Sequence, residues 1–263
     1  MPTSSVAVES QGYVPQSLAL IGGSAGVLLR PPSAPRRVEA AGRLKRQTLW
    51  LTVIGAVVVA ALMAGFDATE IGLMPPRGTP GLWPVRIITD FGKDGYVLEA
   101  LAAILIAIAL IGPALRGAPR RRLLRFGTQT QYLFLAVLLP VLVAEIVKWV
   151  VGRGRPFVGG KANVFNFMPF NGTEAHFSFP SAHAVTSFAL AFAIAALWPR
   201  TRIAVAIYAL LIGGSRLLLL AHHPSDVVAG ALIGVIGAMV VRHWFAVRRL
   251  GFAIHDDGKI VPR

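Results

Sequence analysis

Residues 126–151 read FGTQTQYLFLAVLLPVLVAEIVKWVV: an apolar run whose only charges, Glu145 and Lys148, stand near its end. At ~1.5 Å per residue, a helix of this length crosses a ~30 Å hydrocarbon layer. Five more runs repeat the pattern: 49–66, 96–115 (broken by Glu99), 181–198, 203–221 (interrupted by Arg216) and 226–247. The 263-residue chain is 55% apolar and 14% charged, with a mean hydropathy of +0.64. A soluble domain of this length carries roughly 25% charged residues. The reading is therefore an all-α integral membrane protein with six transmembrane helices.

The formal charge of +14 invites a nucleic-acid reading, which the distribution of charge opposes. Eighteen of the 26 Lys and Arg precede the first run, follow the second or the fourth, or close the chain. Arg43, Lys45 and Arg46, then Arg120, Arg121 and Arg122, then Arg200 and Arg202, then Arg248 and Arg249 are examples. Six spans place all these segments on one side, and the positive-inside rule makes that side cytoplasmic, with both termini there. No nucleic-acid partner is expected. The chain has no cysteine, which excludes disulfides and thiolate metal sites.

The sequence divides into a flexible basic cytoplasmic tail (1–47), a six-helix membrane domain (48–250) and a short cytoplasmic tail (251–263). Residues 18–29 are apolar but too short and Gly-rich to span. No charged region precedes them, so a cleaved signal peptide is not expected. The stretches 67–94 and 152–179 are rich in Gly and Pro and read as irregular outer loops. Phe165, Phe167, Met168 and Phe170 in the second either guide a lipid or pack the loop down. Gly230, Gly234 and Gly237 recur at near-helical spacing and predict close helix packing.

Three short stretches carry the chemistry. They are Lys148 followed at six residues' remove by Arg155-Pro156; Pro180-Ser181-Ala182-His183; and Ser215-Arg216, then His222, then Asp226. All lie at span ends that the charge rule assigns to the outer face. Ionisable groups at such depth are costly and usually face the bundle interior. Lys148, Arg155 and Arg216 are phosphate-binding cations, beside two histidines, a hydroxyl and a carboxylate. Glu145, three residues before Lys148, shares its helix face and is placed to pair with it. Taken alone, Arg216 could instead pair with Glu145 as a purely structural tie. His223 and His176 are read as neighbours that shape the site, and Asp90, Lys93 and Asp94 as anchors flanking the second span.

In order and spacing these stretches resemble the signature of the type-2 phosphatidic-acid phosphatase superfamily, K-x6-RP, PSGH and SR-x5-H-x3-D, which also includes lipid phosphate phosphatases and vanadium haloperoxidases. The motifs cover residues 148–226. One departure is Ala182, where the family usually has Gly; its methyl slightly restricts close approach while the N–H is kept. The resemblance implies that His222 is the nucleophile, Asp226 the group orienting it, and His183 the general acid and then base. It also implies that Lys148, Arg155, Arg216, Ser181 and the Ala182 N–H bind the phosphate. No metal and no cofactor is called for. The expected activity is hydrolysis of a lipid phosphate monoester or diphosphate by a bacterial inner-membrane enzyme facing the periplasm. Undecaprenyl diphosphate, phosphatidylglycerol phosphate, phosphatidate and lipid A 1-phosphate are candidates. Transfer to another acceptor, or a non-enzymatic lipid-binding protein, are the alternatives; six spans argue against a haloperoxidase.

Overall fold

The computed structural model describes residues 12–32, 37–156, 158 and 163–263. The remainder of the 1–47 segment and the middle of the second outer loop, with Gly159 and Gly160, lie outside them. The described residues fold into helices α1 (Tyr13–Leu29), α2 (Arg37–Gly65), α3 (Asp67–Leu73), α4 (Trp83–Asp90), α5 (Asp94–Ile111), α6 (Gly117–Val151), α7 (Ala182–Leu197), α8 (Arg202–Leu218) and α9 (Pro224–Val247), followed by a small hairpin, β1 (Phe252–Ile254) and β2 (Ile260–Pro262). The hairpin is antiparallel, with Ala253 opposite Val261.

Among the described residues, five helical stretches are long and apolar enough to cross a membrane: Arg37–Gly65, Pro80–Ala114, Gly117–Val151, Pro199–Leu218 and Pro224–Val247. The expected fourth span is α7, an apolar helix of 16 residues. At ~1.5 Å per residue it reaches ~24 Å, short of a full hydrocarbon layer. The outward faces of the long helices are apolar, as at Leu142, Ile146, Ile207 and Leu210, which are all exposed. Contiguous exposed apolar surface of this kind suits lipid.

The tail reading needs correcting within the described residues. Residues 13–29 form a helix, and α2 begins at Arg37 rather than near 48. The Tyr13 hydroxyl donates to the Leu110 carbonyl at the end of α5, and Trp244 Nε1 donates to the Leu28 carbonyl at 3.2 Å. α1 thus reaches from the end of α5 to the end of α9.

The core lies between α6, α7 and α9. Ala136, Val137, Ala144, Val185, Ala189, Ala193, Ala238 and Phe245 are its buried members, with Phe252 of the hairpin. Small residues let the backbones approach. A Cβ on Gly230 would sit 2.5 Å from the Ser181 carbonyl, and one on Gly234 2.4 Å from that of Val185. Gly237 does the same against Pro140 of α6. The expected close packing is therefore what joins α9 to α7 and α6. Tyr132 packs edge-on against Phe245 and Phe252, with ring centroids 5.3 and 4.9 Å away.

The hairpin and the start of α2 meet at one end of the bundle, where an Arg43 guanidinium N donates to the Asp257 carbonyl at 2.6 Å. Arg125, near the start of α6, bonds the Arg263 carbonyl there. At the opposite end are the end of α6 and the starts of α7 and α9, brought together by α3 and α4.

Candidate active site

α6 must stop for its last residues to reach the site. Gly152 stops it: its φ of 57° is left-handed, and its N–H bonds the Lys148 carbonyl at 2.8 Å. A side chain there would also meet the Met168 carbonyl at 1.9 Å. The chain leaves α6 extended, with Arg153 bridged to Phe167. Arg153 and Arg155 then point to different partners.

Arg153 is fully buried and engaged on every side. One terminal nitrogen donates to Asp226 Oδ1 and to Ser225 Oγ, each at 2.6 Å. The other donates to Asp67 Oδ2 at 2.9 Å and the Val164 carbonyl at 2.8 Å, while Nε reaches the same carbonyl at 3.1 Å. Asp67, the first residue of α3, also accepts the Ser225 N–H at 3.0 Å and the Ser225 hydroxyl. This buried cluster clamps the start of α9 to α3 and to the end of α6. The sequence reading did not find Arg153, Asp67 or Ser225. The motif spacing singles out Arg155, and nothing in the sequence distinguishes Arg153 except its place between Gly152 and Gly154.

His222 lies just before α9 and is almost fully buried. Its Nδ1 bonds the Ser178 main-chain carbonyl at 2.7 Å. A carbonyl can only accept, so Nδ1 carries the hydrogen and Nε2 keeps its lone pair. The Asp226 carboxylate stands 3.9 Å from Nδ1, too far for a hydrogen bond. The resemblance implies that Asp226 orients His222; the geometry places it one step away from the ring. Asp226 Oδ2 accepts the Ser178 hydroxyl at 2.6 Å and the His223 N–H at 2.8 Å. It thereby fixes the residue whose carbonyl holds His222. Burial, then the charges of Arg216 and Arg155, hold the His222 pKa well below the ordinary 6.5. The neutral ring is therefore favoured at neutral pH.

The other expected residues converge on the same end. Ser181 stands at the N-cap position of α7 without a side-chain cap bond, and its N–H bonds the Asp226 carbonyl at 3.0 Å. Ala182 opens that helix, with its N–H in the first turn, where backbone donors and the helix dipole favour an anion. His183 follows in the same turn, within the field of Arg216, Lys148, Lys93 and Arg155. Gly92, just past α4, lies against it: a Cβ there would clash with Ile212 at 2.3 Å and would come into ordinary contact with the His183 ring at 3.5 Å. Lys148 pairs with Glu145 as expected. Arg216 does not reach Glu145; it donates to Thr89 Oγ1 at 2.9 Å, and Ser215 Oγ bonds the same hydroxyl at 2.9 Å. Thr89 of α4, which the sequence reading missed, thus aims Arg216. Arg155 bonds Glu174 at 3.2 Å, and burial lowers its pKa, opposed by Glu174.

Among the described residues, Ser181 Oγ, His183 Nε2, Arg155 Nε and Arg216 Nε are buried without a partner. Buried groups of this kind normally carry partners. A hydroxyl, an imidazole and two guanidinium N–H groups left free together match the oxygens of a tetrahedral oxyanion.

A family model described as the PAP2 superfamily matches residues 129–250. The lipid A 1-phosphatase of Rhizobium johnstonii is 39% identical, over 82% of this chain and 87% of its own length. That of Rhizobium etli is 31% identical, over 82% of this chain and 91% of its own. This chain belongs to the PAP2 superfamily. A solved transmembrane PAP2 phosphatidylglycerolphosphate phosphatase from Bacillus subtilis shares the fold: the TM-score is 0.53 at 20% identity, covering 74% of this chain and 94% of that one. This PAP2 protein is an integral membrane lipid phosphatase. The core of the match, α6 to α9, supplies every residue of the three motifs.

Proposed function

We propose that the protein removes the phosphate from a lipid A 1-phosphate, a sugar-linked monoester whose acyl chains stay in the bilayer. The observation that carries the chemistry is the Nδ1 bond of His222 to the Ser178 carbonyl, which leaves Nε2 free to attack. The substrate class rests on the two rhizobial relatives, which are similar over more than four fifths of this chain.

In the first step Nε2 of His222 forms a bond to phosphorus as the bond from phosphorus to the lipid oxygen breaks. His183, which takes up a proton once the phosphate dianion offsets the surrounding cations, gives that oxygen its proton. Lys148, Arg155, Arg216, Ser181 and the Ala182 N–H hold the phosphoryl oxygens as charge redistributes. In the second step neutral His183 takes a proton from water, the water oxygen bonds phosphorus, and the P–N bond breaks to release phosphate. Arg153 and Asp226 position these groups without touching phosphate.

The reading also includes six crossings, with α7 as a short one recessed at the site end. Both chain ends lie on the cytoplasmic side, and the site faces the periplasm of a bacterial inner membrane. Its support is the Arg-rich segments at the bundle end opposite the site.

Phosphate release by detergent-purified protein, without added metal, tests the activity across a 1-phosphorylated disaccharide lipid, phosphatidate, phosphatidylglycerol phosphate and undecaprenyl diphosphate. The disaccharide lipid is expected to be turned over fastest, with EDTA leaving the rate within about twofold. His222→Ala should fall to background, and His183→Ala should lose about 10²–10⁴-fold. Substantial hydrolysis by His222→Ala, or a strict need for divalent metal, would contradict the mechanism.

A further inference from the structure

Beside the phosphate cradle is a cavity of about 290 Å³, lined by Arg77, Gly78, Leu82, Arg86, Arg155, Arg216, Leu219 and Ala221. Two of its four arginines, Arg155 and Arg216, belong to the cradle. Arg77 and Arg86 belong to no motif, and neither forms an ion pair among the described residues. They come from the Pro-rich connection and from α4, which the sequence reading left as an irregular outer loop.

The connection is held in shape. Gly78 has a left-handed φ of 93°, and Thr79 ties back to the Pro76 carbonyl through its N–H at 3.2 Å and its hydroxyl at 2.7 Å. Pro84 in the first turn of α4 suits a helix start. Arg86, two residues later, and Thr89, which aims Arg216, lie on the same short helix. α4 therefore couples the cavity to the cradle.

We infer that this cavity seats a second phosphate carried by the substrate's own head group, with Arg77 and Arg86 as its specificity-determining contacts. The reasoning is electrostatic. Four guanidinium groups border one small space, and the carboxylate paired with one of them, Glu174 on Arg155, is 89% exposed. Like charges gathered this way repel one another, and an anion between them relieves the repulsion. The cradle's own cations already suffice for one phosphate. The volume is at the small end for ligand pockets, which run from about 300 Å³. It therefore suits a compact anionic group rather than a lipid chain. The guanidinium fork matches phosphate oxygens in pairs. Either the outer phosphate of a diphosphate ester or a separate phosphate on the same sugar head group supplies this chemistry.

The inference rests on the phosphatase reading, and the experiment separates the two. Wild type and Arg77→Gln/Arg86→Gln are compared on phosphatidate, on a prenyl diphosphate and on a disaccharide lipid bearing two phosphates. The kcat/KM ratio of a two-phosphate substrate to phosphatidate should fall about ten- to hundredfold in the variant, through KM, as for one or two lost charge-assisted hydrogen bonds. A fall confined to the prenyl diphosphate identifies an adjacent phosphate; one confined to the disaccharide lipid identifies a separate phosphate. Equal loss on all three, or none, overturns the inference. If wild type hydrolyses nothing, the phosphatase reading fails, and calorimetric titration with pyrophosphate and orthophosphate decides the cavity alone. Tighter binding of pyrophosphate that the double variant loses supports the site; no such preference overturns it.

Discussion

Arg153 shows how much of this site lies outside its reacting groups. It is the shared cation of two buried carboxylates, Asp67 and Asp226, at 2.9 and 2.6 Å. Removing one partner from a buried charge cluster costs about 3–5 kcal/mol, because the charges left behind are uncompensated. Arg153→Ala should therefore lower the Tm in detergent and abolish turnover together. Arg153→Lys, which cannot serve both carboxylates in fork geometry, should fall between. An Arg153→Ala protein with wild-type Tm and activity would show that the cluster is dispensable. At this scale the sequence draws attention to groups suited to phosphate and is silent about the buried groups behind them. His222, His183, Lys148, Arg155 and Arg216 stand out in the sequence because phosphate chemistry demands such side chains, and the fold brings them to one end of the bundle. The Ser178 carbonyl that bonds His222 does not stand out, because every residue has a carbonyl and only the fold selects one.

Hydropathy marks where a helix can be immersed in lipid, not where it starts. That is why α2 and α6 begin at Arg37 and Gly117, ahead of the apolar runs that identify them. Arginine is a good helix former, so basic turns extend a helix into the aqueous side without disturbing it. The Pro-rich stretch misled for a related reason. Proline opposes a helix interior but fits the first turn, and Pro84 begins α4 rather than preventing it. The glycines of α9 were legible, since their near-helical spacing puts Gly230 and Gly234 against α7 and Gly237 against α6. α7 has the right apolar character for a span and is only 16 residues long. Its start, at Ser181 and Ala182, must lie beside His222 and Asp226, which favours a helix that begins below the membrane surface at the site end.

Across the whole molecule the motifs gather at one end, while the Arg-rich segments and the terminal hairpin gather at the other. The proposed orientation makes this a difference in accessibility. The chain lacks cysteine, so any single introduced thiol reports one position. Ala175→Cys, exposed near the site, should react with a membrane-impermeant maleimide in spheroplasts. Ala118→Cys, exposed at the start of α6, should react only after permeabilisation. The reverse pattern would invert the topology. The central claim is narrower: the lipid's phosphate passes through Nε2 of His222. The most direct measurement is rapid quenching of the enzyme with a phosphorus-labelled lipid substrate under alkaline conditions, followed by peptide mass spectrometry. The account predicts phosphohistidine at His222, absent from His222→Ala and more abundant in His183→Ala with a substrate whose leaving group needs no proton. Label at another residue, or turnover with no phosphoenzyme in either protein, would contradict it.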